Sequence, residues 1–125
     1  IDFQQLVHKD MQANFSLYPK LWQLKKTDSN IDHRRVPNLE VFFKRQGKAL
    51  NLPQVSESYK PGDIVSWRLD NGLAHIGIVS DKKSLFGSRP LVIHNIGQGT
   101  QEEDVLFSWR IVGHYRWFSA AGANR

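Results

Sequence analysis

The stretch PGDIVSWRLDNGLAHIGIVSD, residues 61–81, decides the fold class. Pro61-Gly62 marks a turn. Residues 64–68, IVSWR, are rich in β-branched and aromatic side chains and read as a strand, with Ile64 and either Trp67 or Val65 inward according to register. Asp70-Asn71-Gly72 is the strongest hairpin signal in the chain, because Asn and Gly accept the positive φ that tight hairpin turns require. Ala74 to Ser80 is then the return strand. An antiparallel hairpin is therefore the seed of the second half of the chain.

Working downstream, Asp81 to Pro90 reads as a loop containing Gly87, and Leu91 to Asn95 as a third strand. Gly97, Gly99 and Thr100 open another loop, whose acidic part is Glu102, Glu103 and Asp104. Val105 to Trp109 and Ile111 to Phe118 are further strand candidates. Upstream the period changes. Ile1 to Phe15 reads as helical, with Asp2 as a cap and Phe3, Leu6, Val7 and Met11 near helical spacing. Thr27 to Arg35 is a polar loop. Pro37 suits the first turn of a second helix, and Gly47 its stop, with Lys44 and Arg45 in the last turn. Helices first and a curled antiparallel sheet second make an α+β domain. It is expected to span residues 1–118, with 119–125 as a flexible tail.

The chain has 125 residues, a formal net charge of +5 and no cysteine. The positive balance favours anionic partners, whether nucleic acid, a membrane surface or an anionic wall polymer, and picks none of them. The basic residues are scattered in pairs, and the four Trp are spread across elements, so the basic, aromatic-interleaved stripe of a nucleic-acid binder is missing. No apolar run reaches the roughly 18 residues of a membrane span. Without cysteine there are no disulfides or thiolate metal sites. The histidines match no zinc spacing, although a cluster of His75, His94 and Asp81 is geometrically conceivable. No metal or other cofactor is expected.

The chemistry centres on His75 and His94, which lie in strands that are candidate neighbours. Side chains on adjacent strands meet when register permits. One imidazole then serves as base and the other fixes its tautomer. The alternative is a pair of half-buried histidines satisfied by backbone groups. His114, in GHYRW, reads as structural and solvent-facing. His33, with Asp32, Arg34 and Arg35, is either a rim that grips a charged ligand or a salt-bridged loop. His8 reads as a surface residue. Ser66 and Ser80 sit in strand positions without the nucleophile-elbow pattern.

Several motifs in order, PGDIVSW, HIGIVSD, VIHNIG, EEDVLFSW and GHYRW, resemble the family called domain of unknown function 1287 (DUF1287). IDFQQLVHKDM, YPKLW and NIDHRRVPNLEVFF fit it as well, so the resemblance runs to about Arg116. The family in turn resembles NlpC-type, papain-like cysteine hydrolases, many of which cut peptide bonds in bacterial cell walls. That resemblance implies His75 as base, His94 as the polar residue that orients it and Asn95 as the fallback for that role. It implies a secreted or periplasmic protein acting on an amide bond, with cell-wall peptide or peptidoglycan as substrate. The nucleophilic cysteine of such proteins opens a helix ahead of the sheet, where the helix terminus lowers a thiol's pKa. A helix of that kind is not in this sequence. The expectation is a papain-like core lacking its nucleophile helix, inactive alone, whose bare sheet face is covered by an N-terminal fragment or another chain. The rival expectation is a non-catalytic binding module in which Arg34, Arg35 and Lys82 engage an anionic wall polymer or a partner protein. A secreted effector using the same chemistry against another cell is a third.

Overall fold

The computed structural model describes residues 3–18, 35–52, 55–85, 87–95 and 99–117. They fall into two compact units, Ile1–Gly47 and Lys48–Arg125. Asp2, His33, Arg34, Phe118 and the tail lie outside the described residues.

The first unit holds helices α1 (Phe3–Ala13) and α2 (Val36–Arg45). Val7 and Met11, four residues apart on one face of α1, are fully buried, as are Phe42 and Phe43 of α2. Pro37 occupies the first turn of α2, where its missing N–H costs nothing, and Gly47 follows the helix at φ +72°. Arg45 holds Asp10 with two contacts, Nε to Oδ2 at 2.7 Å and Nη2 to Oδ1 at 3.1 Å, and the Tyr18 hydroxyl donates to the same carboxylate. The Arg45 hydrogen bond outweighs partial burial and holds the Asp10 carboxyl below its ordinary value. His8 lies half-buried on α1.

The second unit is a five-stranded antiparallel sheet in the order β4-β3-β2-β1-β5. The strands are β1 (Ile64–Arg68), β2 (Ala74–Lys83), β3 (Pro90–Asn95), β4 (Thr100–Glu103) and β5 (Arg110–Tyr115). The β1–β2 turn closes where the Leu69 N–H donates to the Leu73 carbonyl at 2.9 Å, with Gly72 at φ +85°. As the sequence indicates, it is the Asp-Asn-Gly turn that starts the sheet.

Two assignments downstream differ from the sequence reading. Residues 100–103, expected in a loop, form β4, a short polar edge strand whose exposed carboxylates discourage further pairing. Residues 105–109, expected as a strand, form a turn in which the Ser108 N–H donates to the Val105 carbonyl at 3.0 Å. Their apolar side chains are used as a plug instead. Leu106 is fully buried, and Val105, Phe107 and Trp109 pack on the core made by Tyr59, Val65, Trp67, Val79, Val92, Leu106 and Ile111. The Trp67 indole N–H donates to the Leu106 carbonyl at 2.9 Å and ties the plug to the central strand. Each large side chain buried there contributes about 1.5–3 kcal/mol.

Side chains alternate between faces along each strand. Trp67 pairs with His75, Val65 with Gly77, and Gly77 with His94. Trp67, Val65, His75, Gly77, Val79, Val92 and His94 therefore share the core face. The expected bare sheet face is not seen on this side, because the unit's own 105–109 plug covers it. Ile78 and Ile93, paired across β2 and β3 on the other face, are exposed.

His114 is a further departure. A bulge between Ser66 and Trp67 shifts the β1–β5 register, so that Val65 pairs with His114 and Trp67 with Ile111. The extra residue turns His114 onto the buried side instead of toward solvent. There His114 Nε2 lies 2.6 Å from Asp63 Oδ2 and Nδ1 lies 3.1 Å from the Asn51 carbonyl. Arg116 adds a two-pronged contact to Asp63, at 2.8 and 2.9 Å, and the Lys60 N–H donates to it at 2.9 Å. Tyr59 stacks on the His114 ring at 4.2 Å. Burial pushes the Asp63 carboxyl up most strongly, but the donors Arg116, His114 and the Lys60 amide together carry it below the ordinary carboxylate value. His114 is thus structural, in a clamp that fastens β5 to the turn before β1.

Candidate active site

The hairpin and the β2–β3 register bring His75 and His94 together. His75 Nε2 lies 2.7 Å from His94 Nδ1. His94 Nε2 lies 2.7 Å from Glu103 Oε1, on β4. The three side chains form a line, imidazole to imidazole to carboxylate. A carboxylate only accepts, so His94 donates from Nε2. Neutral His94 then has its lone pair on Nδ1, which accepts the Nε2–H of His75. The one basic lone pair left on the His75 ring is at Nδ1. The terminal carboxylate therefore sets both tautomers.

Gly77 makes this register possible. A Cβ there would lie 2.7 Å from Val92 Cγ1 and 3.2 Å from His94 Cβ, so only glycine lets β3 bring His94 this close. Aromatic rings frame His75. The Trp67 ring lies 5.6 Å away at 30°, and Trp109 lies 5.6 Å away, nearly perpendicular at 82°. The His94 side chain is buried, whereas that of Glu103 is 46% exposed. Burial foremost, and then the neighbouring His94, pull the His75 pKa below that of an ordinary imidazole. His75 is therefore neutral at pH 7, the state a general base requires.

The other sequence candidates are placed differently. Asn95 follows His94 by one residue, so alternation puts it on the opposite face, and it is exposed. Ser66 and Ser80 also belong to that opposite face. Ser80 donates to Glu102, and Lys82 extends to the same Glu102, 3.7 Å away. Neither serine is presented to His75. Asp81 is exposed, and among the described residues no three His, Asp or Glu side chains converge as a metal set. Arg35 precedes α2 in the first unit, while His33 and Arg34 lie outside the described residues.

Glu103 was missed by sequence reasoning because residues 97–104 read as an acidic loop. The available signal was spacing. Running TQEE antiparallel along VIHN pairs His94 with Gln101 and sets Glu103 diagonally across from His94.

A family model for a domain of unknown function, DUF1287, matches residues 1–117. The chain belongs to the DUF1287 family. This DUF1287 domain is also 64% identical over 118 residues to the "Uncharacterized protein YijF" of Escherichia coli (strain K12), an alignment that covers 94% of the chain. The chain spans 57% of the length of that curated relative. No solved structure matches it. Among the described residues of the DUF1287 domain, no helix is long and apolar enough to cross a membrane.

Proposed function

We propose that this domain supplies the proton-transfer half of a secreted or periplasmic cysteine hydrolase that cuts amide bonds in cell-wall peptide. The observation that carries the reading is the line His75–His94–Glu103, with two 2.7 Å contacts and a neutral imidazole at its open end. An imidazole held in one tautomer by a second polar group, itself anchored to a carboxylate, is the arrangement that acyl transfer uses.

The chain has no cysteine, and Ser66 and Ser80 belong to the far face of the sheet. The nucleophile in this reading is a thiol supplied by polypeptide outside these 125 residues, in a papain-like arrangement. His75 Nδ1 takes the thiol proton as sulfur attacks the carbonyl carbon. The imidazolium gives that proton to the departing amine as the C–N bond breaks. Water, deprotonated by His75, then cleaves the thioester. His94 holds the His75 ring in place, the Glu103 charge stabilises the imidazolium without taking its proton, and the Trp67 face beside His75 favours a cation. General base catalysis of this kind contributes about 10²–10⁴-fold.

The test uses the longer natural polypeptide that contains these residues. It is incubated with muropeptides, and products are read by mass spectrometry. New amine and carboxyl termini are expected, lost on alkylation of thiols and lost in His75→Gln. Cleavage that survives His75→Gln in a folded protein would remove His75 from the mechanism.

A further inference from the structure

Away from His75 the second unit contains an open cleft of about 830 Å³, within the size range of small-ligand sites. No residue of the His75–His94–Glu103 line contributes to it. The exposed pair Arg89–Asp104 lines it, with Nε to Oδ1 at 2.6 Å and Nη2 to Oδ2 at 2.8 Å. Phe107, Glu57 and the serines Ser56, Ser84 and Ser88 line it as well.

Three features narrow the ligand. The guanidinium is matched by Asp104 on two nitrogens, and Glu57 adds a further negative charge. The cleft is thus slightly acidic on a chain of net charge +5, which makes it a poor receptor for an anion. The pair still offers acceptor lone pairs on Asp104 and three further N–H donors on Arg89, a combination that grips neighbouring hydroxyls. Two apolar lining residues stand in solvent: Leu85 is 87% exposed and Val55 50% exposed. With Phe107 they provide surfaces for the C–H face of a ring, while the carboxylates and serines meet its hydroxyls.

We propose that this cleft binds an uncharged oligosaccharide segment. Binding needs neither a nucleophile nor His75, so the inference stands apart from the hydrolase reading. The two sites share one element: the 105–109 turn supplies Phe107 to the cleft and Trp109 to the His75 ring. A glycan held on Phe107 thus lies along the same turn that frames His75.

The experiment is an amide-resolved NMR titration of the 125-residue protein with a panel of neutral trisaccharides, chitotriose and maltotriose among them, and with triglycine. The expected result is that at least one trisaccharide shifts the amides of Ser84, Gly87, Ser88, Asp104 and Phe107, with a Kd near 1 mM, corresponding to about −4 kcal/mol. Leu85→Ser, at an exposed position where folding is not at stake, and Arg89→Ala should each weaken binding about fivefold or more. Asp70→Asn, at an exposed position in the β1–β2 turn outside the cleft lining, should leave it unchanged. The proposal is overturned if no trisaccharide shifts these amides, if triglycine shifts them as strongly, or if Leu85→Ser and Arg89→Ala bind as the parent does.

Discussion

Glu103→Gln removes one charge from the end of the relay and keeps a carbonyl oxygen that accepts from His94. Two contacts of 2.7 Å with one ring between them put about 8 Å between the carboxylate and the His75 ring. Glu103 is 46% exposed, so the interaction is screened well beyond its value in a dry interior. With an effective dielectric constant of about 40, a unit charge at that distance stabilises a His75 imidazolium by about 1 kcal/mol. The ratio of charged to neutral His75 in the variant should therefore be about fivefold lower than in the parent at any pH on the titration curve. The assay follows the His75 ring C–H resonances through a pH titration at low ionic strength. Added salt should shrink the difference. An unchanged His75 titration would mean that Glu103 does not act through His94, and a shift in the opposite direction would refute the charge argument altogether.

Other outcomes follow from the same structure. His75 titrates below an ordinary imidazole, so on acidification the unfolded chain takes up its proton first. Urea-melt stability should fall as pH drops below about 7, and His75→Gln should flatten that slope by at most one proton. Asp63→Asn leaves His114 and Arg116 without their anion and should cost about 3–5 kcal/mol in chemical denaturation. Gly77→Ala drives a methyl to within 2.7 Å of Val92 and should cost about 1–3 kcal/mol, with the His94 ring resonances displaced even where the fold survives.

Much of the frame was legible because it rests on local rules. Asp70-Asn71-Gly72 and the β-branched runs on either side gave β1 with its observed ends. Pro37 and Gly47 bracketed α2. What failed depended on partners distant in sequence. The 105–109 run is as apolar as a strand, yet it caps Trp67 from above the sheet. β4 is entirely polar and is a strand only because β3 offers it an edge. His114 changed faces through a bulge, which no periodicity announces. The His75–His94 pairing was readable from adjacent strands. Its carboxylate was not, since Glu103 joins the line only once β4 is recognised.

The central claim is a directed relay, and the nitrogen protonation states test it most directly. A long-range ¹H–¹⁵N spectrum of the histidine rings near pH 7 reports which nitrogen carries each proton. The account predicts Nε2–H tautomers for both His75 and His94, with unprotonated Nδ1 on each, and Glu103→Ala releasing the preference at His94. A proton on Nδ1 of His75 in the parent protein would contradict it, because the nitrogen assigned to the base would then have no lone pair to offer.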